Sequence, residues 1–189
     1  MEAEPRIIEK REKASREDWL LATLDVLRER GIEGVKVVAI ARRLGLTSGS
    51  FYWHFRNLKD LLDSVLLFWE DALTGHIIED ALQFQGPPEE RIRVLMHQVI
   101  REDASRPDGA IAVWAKSDAD AAQCYKRAIK RRFEFSTWLF QELGFAPPDA
   151  EIRGRMMVIT LMGETTNDLK QQENWPSVID RHWRVLVDK

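Results

Sequence analysis

Residues 37–55 read VVAIARRLGLTSGSFYWHF, and Asn57, Leu58, Lys59 and Asp60 follow directly. The spacing predicts two short helices joined by a tight turn. Val37, Ile40, Ala41 and Leu44 recur at helical intervals and form one apolar stripe. Gly45 supplies a residue able to turn with positive φ, and Leu46 tucks toward the core behind it. Thr47 is placed to cap the second helix, its hydroxyl accepting an orphan backbone N–H. At roughly 100° per residue, Phe51 and Phe55 point inward together. Gly49, Tyr52 and Trp53 then fall on the opposite side, with Ser48, Ser50 and His54 at the flanks.

A solvated helix face would carry Glu, Lys and Gln. Here small hydroxyls, a glycine and two large rings face outward instead. Two readings fit the rings: an aromatic lock within a small head, or a surface for nucleic acid. Charge favours the second. No Asp or Glu occurs from Gly34 through Lys59, whereas Lys36, Arg42, Arg43, Arg56 and Lys59 all lie in that window. Such a window suits a polyanion. Tyr, Trp and His can give hydrogen bonds to phosphates while their rings pack on sugars. A helical glycine costs up to about 1 kcal/mol relative to alanine and lets another backbone come close.

TSGSFYWHF followed by NLKDLL resembles the helix-turn-helix signature of the TetR (tetracycline-repressor-like) family of bacterial regulators. The likeness covers roughly Asp18 to Leu66, with the A-x-x-LG turn at the expected distance upstream. Two positions depart from the family pattern. Leu58 stands where a base is usual, leaving Lys59 as the alternative phosphate contact. Lys36 and Val37 stand where Thr or Ser usually begins the helix before the turn. The resemblance implies a homodimer joined through its last two helices. Two such heads meet successive major grooves roughly 34–36 Å apart, hence a palindromic operator in double-stranded DNA. Thr47, Ser48, Gly49, Ser50, Tyr52, Trp53 and His54 are the expected groove residues, and Lys36, Arg56 and Lys59 the expected backbone contacts.

The chain has 189 residues, enough to bury a proper core in one or two domains. No run of 18 apolar residues exists, so no membrane span is expected. The charged N-terminus is unlike a signal peptide, and the sole cysteine, Cys124, excludes an intramolecular disulfide. Both features suit a reducing cytoplasm. The net charge of −3 at first argues against nucleic acid. By region the conflict disappears: residues 1–60 hold 12 basic and 10 acidic residues, the remainder 16 and 21. A basic head on an acidic body suits a protein that grips DNA at one end.

The pattern predicts an all-α fold of about nine helices, with no alternating strand segment and no repeat. Residues 1–15 form a charged arm, 16–60 a three-helix helix-turn-helix head, and 61–189 a helical effector-binding and dimerisation domain. Leu20, Leu24 and Leu27 give the first helix its stripe, ending at Gly31; Trp19 lies off that stripe, facing the next domain. Asn57 and Asp60 form a capping-box-like start for a long helix whose apolar face runs from Leu58 to Ile77. That helix is the mechanical link to the body. FQGPP at 84–88 breaks it, and further helices follow, the next ending near Arg106-Pro107. Another, from Glu151 to about Leu169, is apolar almost all round at MMVITLMG and needs cover on several sides.

No Ser–His–Asp spacing, glycine-rich phosphate loop or carboxylate pair points to catalysis, and His76, His97 and His182 stand apart from any metal-ligand cluster. No cofactor is expected. A small, largely apolar effector is expected between helices of the body, lined by Trp114, Trp138, Met157, Thr160, Glu164 and Asn167. These residues also suit plain core filling. The leading reading is a ligand-responsive repressor. Its rival is a helical protein-interaction module whose head no longer reads DNA, for which Leu58 is the best support.

Overall fold

A computed structural model describes residues 14–188; the bulk of the expected N-terminal arm, residues 1–13, lies outside the described residues. Among the described residues there are nine α-helices and no strand. Helix α1 (Arg16–Arg30) starts with a reciprocal capping box. The Asp18 N–H donates to Ser15 Oγ at 3.1 Å, and the Ser15 N–H donates to Asp18 Oδ2 at 2.7 Å. The helix stops at Gly31, whose φ of 67° suits glycine. Helix α2 (Val37–Leu44) closes on Gly45 in the left-handed region, and the Leu46 N–H returns to the Ala41 carbonyl at 2.9 Å.

The second helix of the turn is a 3-10 helix over Ser48–Trp53, tighter than the α-helix the sequence suggests. Thr47 occupies the N-cap position, but its hydroxyl makes no capping bond. Ser50 explains the geometry: its N–H and its hydroxyl both donate to the Thr47 carbonyl, at 3.1 and 2.6 Å. That i−3 pairing favours three residues per turn.

Asn57 caps α3 (Leu58–Glu70) by accepting the Asp60 N–H at 3.0 Å. Asp60 replies one residue further back than expected, accepting the Arg56 N–H at 2.9 Å. The rod runs through a π-helical turn (Asp71–Gly75) into α4 (His76–Gln83), ending six residues beyond Ile77. One extra residue in that turn shifts the faces of α3 and α4 relative to each other. Helix α5 (Pro88–Arg101) ends earlier than the pattern predicts. Asp103 adopts a left-handed φ of 53°, and the Ala104 N–H folds back to the Val99 carbonyl. Helices α6 (Asp108–Trp114), α7 (Ala119–Glu142), α8 (Pro147–Thr166) and α9 (Trp175–Val187) complete the body. Helix α8 begins at its proline pair and stops ahead of Asp168, again left-handed at φ 53°.

Two apolar clusters form the core. One joins the head to α3, α6 and the first half of α7 through Leu61, Val65, Trp69, Ile111, Trp114 and Cys124. The other packs α4, α5, α8, α9 and the end of α7. Trp19, expected to face the next domain, is fully buried and sits edge-on to Phe51 at 5.6 Å. Helices α7 and α8 are in tight backbone contact at Gly154, where a Cβ would stand 2.7 Å from the Thr137 nitrogen.

The rod is fastened to the body by buried polar contacts. Trp69 Nε1 donates to Asp108 Oδ1 at 2.8 Å, and the Arg132 guanidinium pairs with the same carboxylate while reaching Thr74 Oγ1 in the π-turn at 2.8 Å. Cys124 donates from Sγ to Glu70 Oε2 at 3.3 Å, and Arg127 holds that carboxylate at 2.6 Å. Burial, with the Glu70 contact, pushes the Cys124 thiol up to about 12.

Candidate nucleic-acid interface

Two rings anchor the turn from within. Phe51 and Phe55 are buried and stack at 5.5 Å, and Arg16 lies over the Phe55 ring while donating to Ser64 of α3 at 2.6 Å. With that face fixed, the opposite side chains must project into solvent. Tyr52 is 67% exposed and Trp53 88%. In a 3-10 helix, residues three apart share a face, which sets Gly49 beside Tyr52 and Ser50 beside Trp53. Gly49 is exposed, and a Cβ there would meet nothing closer than Thr47 Oγ1 at 3.8 Å. Exposed rings of this size flanked by small side chains form a flat, hydrogen-bonding ridge. Ser48 and Ser50 are half-buried; so is His54, whose ring lies 6.5 Å from Trp19.

The acid-free window of the sequence is not acid-free in space. Arg43 donates to Glu29 at 2.9 Å and Asp25 at 3.0 Å, both on α1. Lys59 reaches Asp63 at 2.8 Å and Asp120 of α7 at 3.3 Å, and these bonds, Asp63's first, raise its pKa. Arg56 lies against Asp60 at 3.4 Å but stays exposed. Lys36, exposed at the N-cap of α2, and Arg42 make no ion pair among the described residues. Val38, 58% exposed, and Arg42 share the outer face of α2. Neither counts among the contacts expected above, although their i, i+4 spacing opposite Ile40 was visible in the sequence.

The six body residues expected to line an effector site do not gather around one cavity. Met157 lines a small pocket of about 50 Å³ together with Thr74, Ile77, Arg132 and Leu161. Trp114 lines a cleft of about 400 Å³ between α1, α6 and the end of α8. Trp138 stacks on Phe135 at 5.5 Å under Arg91. Thr160 is half-buried on α8, and Glu164 stands 4.0 Å from His182. Asn167 is exposed and donates to the Gly163 carbonyl at 2.7 Å. The polar end of α8 thus spends its hydrogen bonds on the helix itself, as Thr165 does with the Leu161 carbonyl.

The expected all-round cover of α8 is missing on one side. Met157, Val158 and Leu161 are buried, but Ile152, Met156 and Ile159 stay about half or more exposed. With the exposed Gly163 they form a stripe at i, i+4, i+7 and i+11, and Val185 of α9 is 69% exposed. No helix among the described residues is long and apolar enough to cross a membrane.

The architecture and the ridge define a helix-turn-helix protein. Residues 20–65 match the model described as "Bacterial regulatory proteins, tetR family", so the likeness to that family lies in the helix-turn-helix head. Over 44 residues it is 46% identical to the tetracycline repressor protein class A from transposon 1721 of Escherichia coli, covering 23% of this chain and 20% of that protein. The chain thus spans only about a fifth of that repressor's length. Across the whole chain the fold is that of a transcriptional regulator from Rhodococcus sp. Rha1, at a TM-score of 0.68, 22% identity, and 92% and 94% coverage. It is also that of the transcriptional regulator FadR from Bacillus subtilis, solved in complex with stearoyl-CoA, at a TM-score of 0.63, 16% identity, and 92% and 98% coverage.

Proposed function

We propose that this protein is a cytoplasmic, ligand-responsive transcriptional regulator of repressor type that binds a palindromic operator as a homodimer. One observation carries the reading: Tyr52 and Trp53 stand in solvent on a turn whose other face is locked by Phe51 and Phe55. Ser48, Gly49, Ser50, Tyr52 and Trp53 enter the major groove, with Thr47 and His54 at the margins. Lys36, Arg42 and Arg56 hold phosphates, and Lys59 joins them on release from Asp63 and Asp120. The uncovered stripe of α8, with Val185, supports a dimer in which two α8–α9 pairs form one four-helix bundle. An effector in the body acts through the rod from Leu58 to Gln83, and the stearoyl-CoA bound by FadR supports an effector with a large apolar part. Coupling of this kind is worth about 1–3 kcal/mol, or roughly 5–150-fold in affinity. Tyr52→Ala is expected to abolish operator binding while the dimer stays folded; unchanged affinity in a gel-shift titration sinks the assignment.

A helical interaction module is the second reading, favoured by Leu58 in place of a base and by the carboxylates on Lys59. Duplex binding that falls steeply with salt supports the regulator. Absence of salt-sensitive duplex binding supports the module.

A further inference from the structure

The pocket of about 50 Å³ beside Met157 is too small for a ligand of the usual kind, whose sites measure about 300–1,000 Å³. The cleft between head and body, at about 400 Å³, is large enough. One wall is the end of α1, with Leu27 and Arg28; the other is α6, with Gly109, Val113 and Trp114; Arg106 and the end of α8 close it.

Two features show what fits there. The Arg28 and Arg106 side chains are about one-third exposed, yet neither guanidinium makes a hydrogen bond among the described residues, each being held only in long ion pairs. Their nearest carboxylate oxygens lie at 3.9 Å (Glu29), 3.7 Å (Asp103) and 3.8 Å (Asp168), beyond hydrogen-bond reach. Arg43, Arg93 and Arg127 all hold carboxylates at 3.0 Å or less. Gly109 is the second feature. It is the second residue of α6 and lines the cleft, and a Cβ there would meet nothing within 4 Å. Packing therefore does not require the glycine; the missing side chain leaves the cleft open.

We propose that this cleft binds a small monocarboxylate with an aromatic or branched apolar body. The guanidinium fork matches a carboxylate. Both guanidiniums keep their N–H donors without a hydrogen-bonded partner, while Asp168 in the lining and Glu29 and Asp103 beside the two arginines limit the cleft to a single added negative charge. The ring packs against Leu27, Val113 and Trp114. Because Arg28 belongs to the head and Arg106 to the body, a bound anion ties the two together and fixes the angle of α1. That consequence rests on the regulator reading; the binding does not.

The test is calorimetric titration of the full-length chain with benzoate, 2-naphthoate and indole-3-acetate, with neutral 2-naphthamide as control. At least one acid binds saturably, and the amide binds about tenfold more weakly than 2-naphthoate or worse. Arg28→Gln with Arg106→Gln weakens the acid by about tenfold or more. Gly109→Leu fills the cleft and removes binding without lowering the melting temperature. The proposal is overturned if no acid binds up to about 5 mM, if the amide binds as well, or if the variants bind like the parent. A separate titration of the unliganded protein with duplex from the intergenic DNA beside its gene tests the regulator reading. Its failure leaves the calorimetric result standing.

Discussion

Replacing Arg132 with Met probes the fastening between rod and body. The guanidinium donates to Thr74 Oγ1 at 3.0 and 2.8 Å, pairs with Asp108, and lies 5.5 Å from the centre of the Trp69 ring. The Arg132 side chain is 11% exposed and that of Asp108 only 2%. Methionine keeps most of the aliphatic stem and removes the charge, leaving the Asp108 carboxylate with the Trp69 indole N–H. Stranding one member of a buried pair costs about 3–5 kcal/mol. For a chain of this length each kcal/mol lowers the melting temperature by about 2–4 °C, so a fall of roughly 6–20 °C is expected. Asp108→Leu together with Arg132→Met removes both charges. It leaves Trp69 Nε1 and Thr74 Oγ1 unpaired at about 1–3 kcal/mol each, offset by about 1–4 kcal/mol of avoided charge burial. The double variant is therefore expected to be more stable than Arg132→Met alone. Urea unfolding followed by tryptophan fluorescence, at fixed protein concentration because any self-association adds to stability, measures all three. A single variant that loses less than about 1 kcal/mol, or a double no better than the single, refutes the buried-pair reasoning.

Gly154→Ala sets a methyl group against the backbone of Thr137 and Ser136, so α7 and α8 must separate, and a loss of about 1–3 kcal/mol is expected in denaturant titration. Asp180 has its pKa lowered to about 2, first by hydrogen bonds from Arg93 and then by His97. A lowered carboxylate stabilises the fold above its unfolded pKa, so about 2 kcal/mol is present above pH about 4 and lost as pH falls toward about 2. Asp180→Asn should flatten that part of the acid stability curve; an unchanged curve contradicts the pinning of α9 to α5. Ile159→Glu plants a charge in the uncovered stripe of α8 and should yield monomers of parental helicity in sedimentation experiments. A dimer of undiminished affinity would place the contact elsewhere.

Local signals in the sequence were the reliable ones. The positions of Phe51 and Phe55, the Gly45 turn, the cap at Asn57 and the break at Pro87-Pro88 depend on neighbours a few residues away, and periodicity reads such distances directly. The 3-10 turn escaped because the Ser50 hydroxyl competes for a carbonyl in a way that pattern alone does not reveal. Charge failed at longer range. Arg43 meets Glu29 across 14 residues and Lys59 meets Asp120 across 61, so counting acids within a window overstated the free positive charge. The Trp69–Asp108–Arg132 cluster joins three helices and has no local signature. Expecting an effector site in the polar end of α8 overlooked how readily Thr165 and Asn167 satisfy themselves on their own helix.

The thiol of Cys124 lies where α7 meets the rod, and its consequence is experimental. With its pKa pushed up to about 12 by burial and the Glu70 contact, the thiol stays protonated at neutral pH and a disulfide reagent attacks it slowly. Labelling must wait for α3 to part from α7, and because the chain has a single cysteine, every label marks that one event. The unmodified protein can thus time its own joint, with and without DNA or an added acid, using no attached dye.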